Sequence, residues 1–92
     1  MRVFWDENKN QENIKKHKIS FEYAKQVFED PCRLVKYDSL HSINEDRFIV
    51  IGKARNEVVL FVSEVEINDD DVRIISARKA DKKEKEEYDG RL

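Results

Sequence analysis

Residues 73–80 read Arg73-Ile74-Ile75-Ser76-Ala77-Arg78-Lys79-Ala80, and the fold turns on where this stretch stops being a strand. Its first half is apolar and β-favouring, and its second half is basic and helix-forming, with no Gly or Pro between them. The change of character predicts a strand over Asp71–Ala77 that passes directly into a helix from Arg78 to about Tyr88, with Gly90 able to end it. Strand alternation then sets Ser76 and Arg78 on one face and Arg73 with Ile75 on the other.

Upstream of this strand, Arg47–Lys53 and Val58–Ile67 are apolar runs separated by short polar breaks, 54–57 and 68–70. Breaks of that length join antiparallel neighbours, so the three runs form a meander. Cys32–Tyr37 reads as one more strand, followed by a polar loop over 38–46 that contains His41, Ser42 and Asn44. Val3-Phe4-Trp5 opens the chain as a short strand. Asp6 caps a helix that runs to about His17, and Ser20 caps a second one that Asp30-Pro31 ends. The first helix has Ile14 as its one aliphatic residue and is expected to pack lightly or face a ligand. Phe21, Ala24, Val27 and Phe28 give the second helix a core-facing stripe. The order is βααββββα, an α+β class with an antiparallel sheet and helices packed on it, in a single domain over residues 1–92.

Composition narrows the function. A charged fraction of 41% and a mean hydropathy of -0.82 suit a disordered chain, but the clustered runs Phe48–Ile51 and Val58–Val62 bury enough surface to argue for a fold. No apolar run nears the roughly 20 residues of a membrane span, and the N-terminus lacks the pattern of a signal peptide. The single Cys32 has no partner for a disulfide and no zinc-like neighbours. The expected compartment is the cytoplasm, with no membrane contact. The net charge of -2 is unevenly spread: residues 1–18 carry 5 Lys/Arg against 3 Asp/Glu, residues 19–71 carry 6 against 12, and residues 72–92 carry 7 against 5. A fold that joined the two ends would make a local basic surface on an acidic protein.

No phosphate-cradling Gly-rich loop, Ser/His/Asp grouping or metal-ligand spacing is present, so no cofactor and no metal is expected. His17, at the end of the first helix, suits proton transfer near neutral pH, or else complements the helix dipole. His41 reads as a solvated loop residue. On the last helix Ala77, Ala80, Glu84 and Tyr88 form one stripe, which turns Glu84 towards the sheet. An inward carboxylate needs a cation, and Arg73 or Arg78 can supply it, Arg73 as a structural ion pair that leaves Arg78 free.

Together, Phe4-Trp5-Asp6, Asn13-Ile14-Lys15-Lys16-His17, Ile19-Ser20-Phe21-Glu22-Tyr23-Ala24, Asp30-Pro31, Arg47-Phe48-Ile49 leading to Gly52, and Arg73 to Arg78 followed by Glu84 and Tyr88 resemble the BrnT family. Its members are toxins of bacterial type II toxin–antitoxin modules. The resemblance implies a RelE-like fold, RNA as substrate, cleavage that inhibits translation, and neutralisation by a BrnA antitoxin. That antitoxin is a ribbon-helix-helix protein, so operator DNA is contacted only through it. Lys18 stands where the family commonly has glycine, and Asp81 where it commonly has a hydroxyl residue. On this resemblance, Arg47 and Arg78 are assigned to the phosphate, His17 to proton transfer and Tyr88 as a second donor. Lys15, Lys16, Ser76 and Lys79 are assigned to RNA binding. The alternative is a non-enzymatic module that binds its antitoxin and acts as corepressor of its own operon.

Overall fold

The computed structural model describes residues 1–90. Five strands form one sheet in the order β1-β5-β4-β3-β2: β1 is Arg2–Phe4, β2 Leu34–Tyr37, β3 Arg47–Lys53, β4 Val59–Glu66 and β5 Asp71–Lys79. Strands β2 to β5 are the expected antiparallel meander. The first strand departs from it, because β1 lies parallel to β5, with Phe4 opposite Arg73. This pairing joins the two basic ends of the chain.

Three α-helices accompany the sheet: α1 Glu7–His17, α2 Phe21–Ala24, which continues as a 3-10 turn over Lys25–Glu29, and α3 Lys82–Asp89. The caps follow the sequence. Asp6 accepts from the amides of Asn8 and Lys9, and Ser20 accepts from that of Tyr23. Lys18 closes α1 in the left-handed region at φ 62°, where glycine would sit without strain.

The last strand runs two residues further than expected. Arg78 and Lys79 stay paired with Phe61 and Leu60 of β4, and the helix begins only after Asp81. There Asp81 and Glu84 form a capping box, each accepting the other's backbone amide. Cross-strand pairing outweighs the helix preference of the basic residues. Cys32 likewise lies in an exposed turn before β2 rather than on it, because Asp30 accepts from the amides of Cys32 and Arg33 and holds the turn after Pro31.

Each face of the sheet has its own core. One packs Phe21, Ala24 and Val27 against Val50, Leu60, Val62, Ile74 and Ala77. The other lies under α3, where Ala80 and Tyr88 meet Leu34, Ile51 and Val59. Ala77 thus belongs to the first core rather than to the stripe of α3. Gly52 sits where a Cβ would come within 3.0 Å of Val27 Cβ, so its missing side chain lets the 3-10 turn close on β3.

The polar helix α1 is held by buried amides rather than by apolar packing. Asn13 donates to the carbonyls of Ile19 and Ala77, both at 2.8 Å, and accepts from the Ala77 amide at 3.1 Å. Pairing between β1 and β5 stops at Arg73, and the Asn13 carboxamide serves the open backbone edge of β5 beyond it. Asn10 accepts from the amide of Phe21 at 2.8 Å and so fixes α2. Each contact satisfies a backbone group that burial would otherwise orphan.

Candidate functional site

The α3 face of the sheet is covered only at one end. Its uncovered end is built in rows. Arg47, Val65 and Arg73 lie across from one another, then Ile49, Ser63 and Ser76, then Ile51, Phe61 and Arg78. Simple alternation puts Arg73 on the opposite face from Ser76 and Arg78. A β-bulge corrects this: Ser63 pairs with Ser76 but Glu64 with Ile74, which leaves Ile75 as the extra residue and turns Arg73 to the same side. Three arginines from two strands therefore share one surface.

A cavity of about 420 Å³ opens on this surface, with Asp38, His41, Arg47, Phe61, Ser76 and Arg78 in its wall. A larger hollow of about 590 Å³ lies elsewhere, between the 3-10 turn and the end of β3, and its lining mixes Glu22, Glu29 and Asp30 with Lys25, Lys53 and Arg55. It gathers no single sign of charge, so the arginine cavity is the better match to an anionic ligand.

Arg78 is the most constrained group in this wall. Its guanidinium stacks 4.0 Å from the centre of the Phe61 ring. Its Nη1 and Nη2 donate to the two carboxylate oxygens of Glu84 at 2.8 and 2.9 Å. This fork holds the Glu84 carboxyl below the usual range and raises Arg78 further. Arg73 is not the partner of Glu84. It faces Glu45 at 3.5 Å, and Arg47 faces the same carboxylate at 3.7 Å. The bulge explains the exchange, since it places Arg73 in the row of Arg47, at the far end of the sheet from α3. The Nε of Arg47 is buried without a protein acceptor.

Tyr88 lies outside this group. It is 2% exposed, and its hydroxyl donates to Asp30 Oδ2 at 2.5 Å. Burial, followed by the Asp30 carboxylate, pushes its ionisation upward. Its hydroxyl therefore ties α3 to the turn before β2, and Tyr88, expected as a second proton donor, does not line the arginine cavity. His17 is half-buried on α1 and does not line the cavity. Among the described residues it has no hydrogen-bond or ion-pair partner. Lys15 and Lys16 are exposed in the last turn of α1, and exposed Lys79 borders a separate hollow near Lys53 and Lys85. The structure thus brings together Arg47, Ser76 and Arg78 and leaves His17, Tyr88 and the lysines apart.

His41 is the residue that sequence reasoning set aside. Its Nδ1 lies 2.8 Å from Asp38 Oδ2, and the ring stands in the cavity wall. The signal was the Asp38-x-x-His41 spacing, which a loop of unknown course gives no reason to prefer.

The family model described as "Ribonuclease toxin, BrnT, of type II toxin-antitoxin system" matches residues 5–84. The chain belongs to the BrnT family. The 1.1 Å crystal structure of the Brucella abortus ribonuclease toxin, BrnT, superposes with a TM-score of 0.64 at 25% identity, covering 89% of this chain and 99% of that one. No curated protein sequence matches the chain. The five-stranded sheet with three helices is thus a BrnT fold, and a ribonuclease toxin of a type II module is what the family describes. Among the described residues, no helix is long and apolar enough to cross a membrane.

Proposed function

We propose that this BrnT-family chain is an endoribonuclease that cleaves RNA without a metal, acts in the cytoplasm and is neutralised by a BrnA-type ribbon-helix-helix antitoxin. One observation carries the reading: Arg47 and Arg78 face one cavity from rigid strands, with Arg78 fixed from two directions. Cleavage through the 2′-hydroxyl builds negative charge on the phosphoryl oxygens, and preorganised donors aimed at such charge are commonly the largest catalytic term. The buried, unpartnered Nε of Arg47 is a donor suited to a phosphate oxygen. Ser76 sits beside them, while Lys15, Lys16 and Lys79 attract the RNA backbone from outside the cavity. In this reading the cationic role falls to the arginines.

The antitoxin reading rests on apolar surface. Leu40 and Ile43, on the loop that carries His41, are 82% and 84% exposed, and Val35 and Tyr37 on edge strand β2 are about half exposed. Such side chains mark an interaction surface when several stand together. A second reading has its own support, because each cavity arginine already faces a carboxylate of the chain. On that reading the fold is retained as the antitoxin's corepressor. Incubating purified protein with RNA in EDTA decides between them. Cleavage that Arg78→Ala abolishes supports the enzyme. Intact RNA, together with tight co-purification of the neighbouring gene product, supports the corepressor, and cleavage lost only in EDTA overturns the metal-free step.

A further inference from the structure

We propose that His41, held by Asp38, is the general base of the cleavage reaction in place of His17. The inference rests on the ribonuclease reading above and names the group that takes the proton.

Position comes first. His41 shares the cavity wall with Arg47, Ser76 and Arg78, whereas His17 belongs to α1 and does not reach that wall. A base must come within hydrogen-bond reach of the proton it removes while the cations contact the same phosphate.

The loop is built to hold the ring there. Ser42 Oγ donates to the Asp38 carbonyl at 2.6 Å and accepts from the Arg47 amide at 2.9 Å. The Asp38 amide donates to the Arg47 carbonyl at 2.9 Å, so the loop closes on the start of β3. His41 and Arg47 are therefore joined through a short hydrogen-bonded path. The Asp38 side chain is 11% exposed and that of His41 64% exposed, which leaves the ring open to a ligand and its partner fixed.

Chemistry then assigns the tautomer. A carboxylate 2.8 Å from Nδ1 keeps the proton on that nitrogen, leaving Nε2 with the free lone pair. It also stabilises the imidazolium that forms on proton uptake. In the reaction, the 2′-hydroxyl proton passes to Nε2, the O2′–P bond forms, and the P–O5′ bond breaks. O5′ takes a proton from water, and the imidazolium returns its proton to solvent. The products are a 2′,3′-cyclic phosphate and a 5′-hydroxyl.

The test uses the full-length protein, a labelled RNA transcript, and four forms: wild type, His41→Gly, Asp38→Asn and His17→Ala. We expect His41→Gly to cut on the order of 10²–10⁴-fold more slowly, with partial recovery in free imidazole. Asp38→Asn should lower kcat while leaving KM unchanged, a split that a loop support alone would not produce. His17→Ala should cut like wild type. If wild type cleaves and His41→Gly cleaves equally fast, or if imidazole restores His17→Ala instead, the assignment is overturned. If wild type leaves RNA intact, the ribonuclease reading falls and this inference with it.

Discussion

Glu84 receives Arg78 with both carboxylate oxygens while one of the same oxygens accepts the Asp81 amide at 2.9 Å. One side chain thus caps α3 and aims the arginine of the cavity. Glu84→Gln keeps the shape and removes the charge. It should lower stability by about 1–3 kcal/mol and reduce RNA cleavage through a less ordered Arg78. Because Glu84 ionises below its usual range when folded, its contribution is present above the unfolded carboxylate range and fades as pH falls through the folded value. Urea titrations of both proteins should therefore converge in acid and differ at neutral pH.

Arg78→Ala separates catalysis from folding. Loss of one preorganised donor predicts a fall in cleavage on the order of 10²–10³-fold. The mutation also strands the Glu84 carboxylate, which is largely but not fully buried, so a drop in Tm is expected alongside. Arg78→Lys keeps the charge but not the fork, and should recover more stability than activity. Thermal melting and cleavage assays on the same preparations check both parts.

Tyr88→Phe should leave cleavage unchanged and cost stability. Its hydroxyl donates to Asp30, whose Oδ2 also accepts from the Lys53 amide at 2.8 Å. Burial raises Asp30, but the Tyr88 hydroxyl and the amides of Lys53 and Cys32 outweigh it and hold the carboxyl low. The expected loss is about 1–3 kcal/mol by denaturant titration. A large loss of activity in a folded Tyr88→Phe protein would return this tyrosine to the chemistry.

Glu64 makes the opposite pH forecast. It is 2% exposed on the face of α1 and α2, and its Oε2 lacks a partner. Burial, with Glu66 adding repulsion, pushes its carboxyl up to about 7. The folded state thus holds this proton more tightly than the unfolded chain does. Stability is full below the unfolded carboxylate value and declines as pH rises through about 7. Glu64→Gln should be more stable than wild type at pH above that value, by on the order of 2–3 kcal/mol, and equal to it in mild acid.

Lys18→Gly should stabilise the protein by about 1 kcal/mol. Lys18 ends α1 in the left-handed region, where a Cβ is strained. Its amide bond to the Ile14 carbonyl at 2.9 Å is unaffected by the change. A shift of Tm upward with unchanged cleavage is the expected result.

What the sequence determined by itself is local. Asp6 and Ser20 mark helix starts because each is decided by a side chain and amides within three residues. The meander follows from apolar runs and short breaks, and the order of elements from both. What tertiary structure decided are the relations across long separations. The bulge at Ile75 depends on the register of β4, so the face of Arg73 was not legible in the alternation of β5 alone. The boundary between β5 and α3 was moved by pairing with Phe61 and Leu60 against local helix preference. Asn13 and Ala77, and likewise Tyr88 and Asp30, meet only after folding, 64 and 58 residues apart. His41 reached the arginine cavity for the same reason. A loop's composition says that it is polar, whereas the hydrogen bonds between Asp38, Ser42 and Arg47 decide which surface its histidine joins.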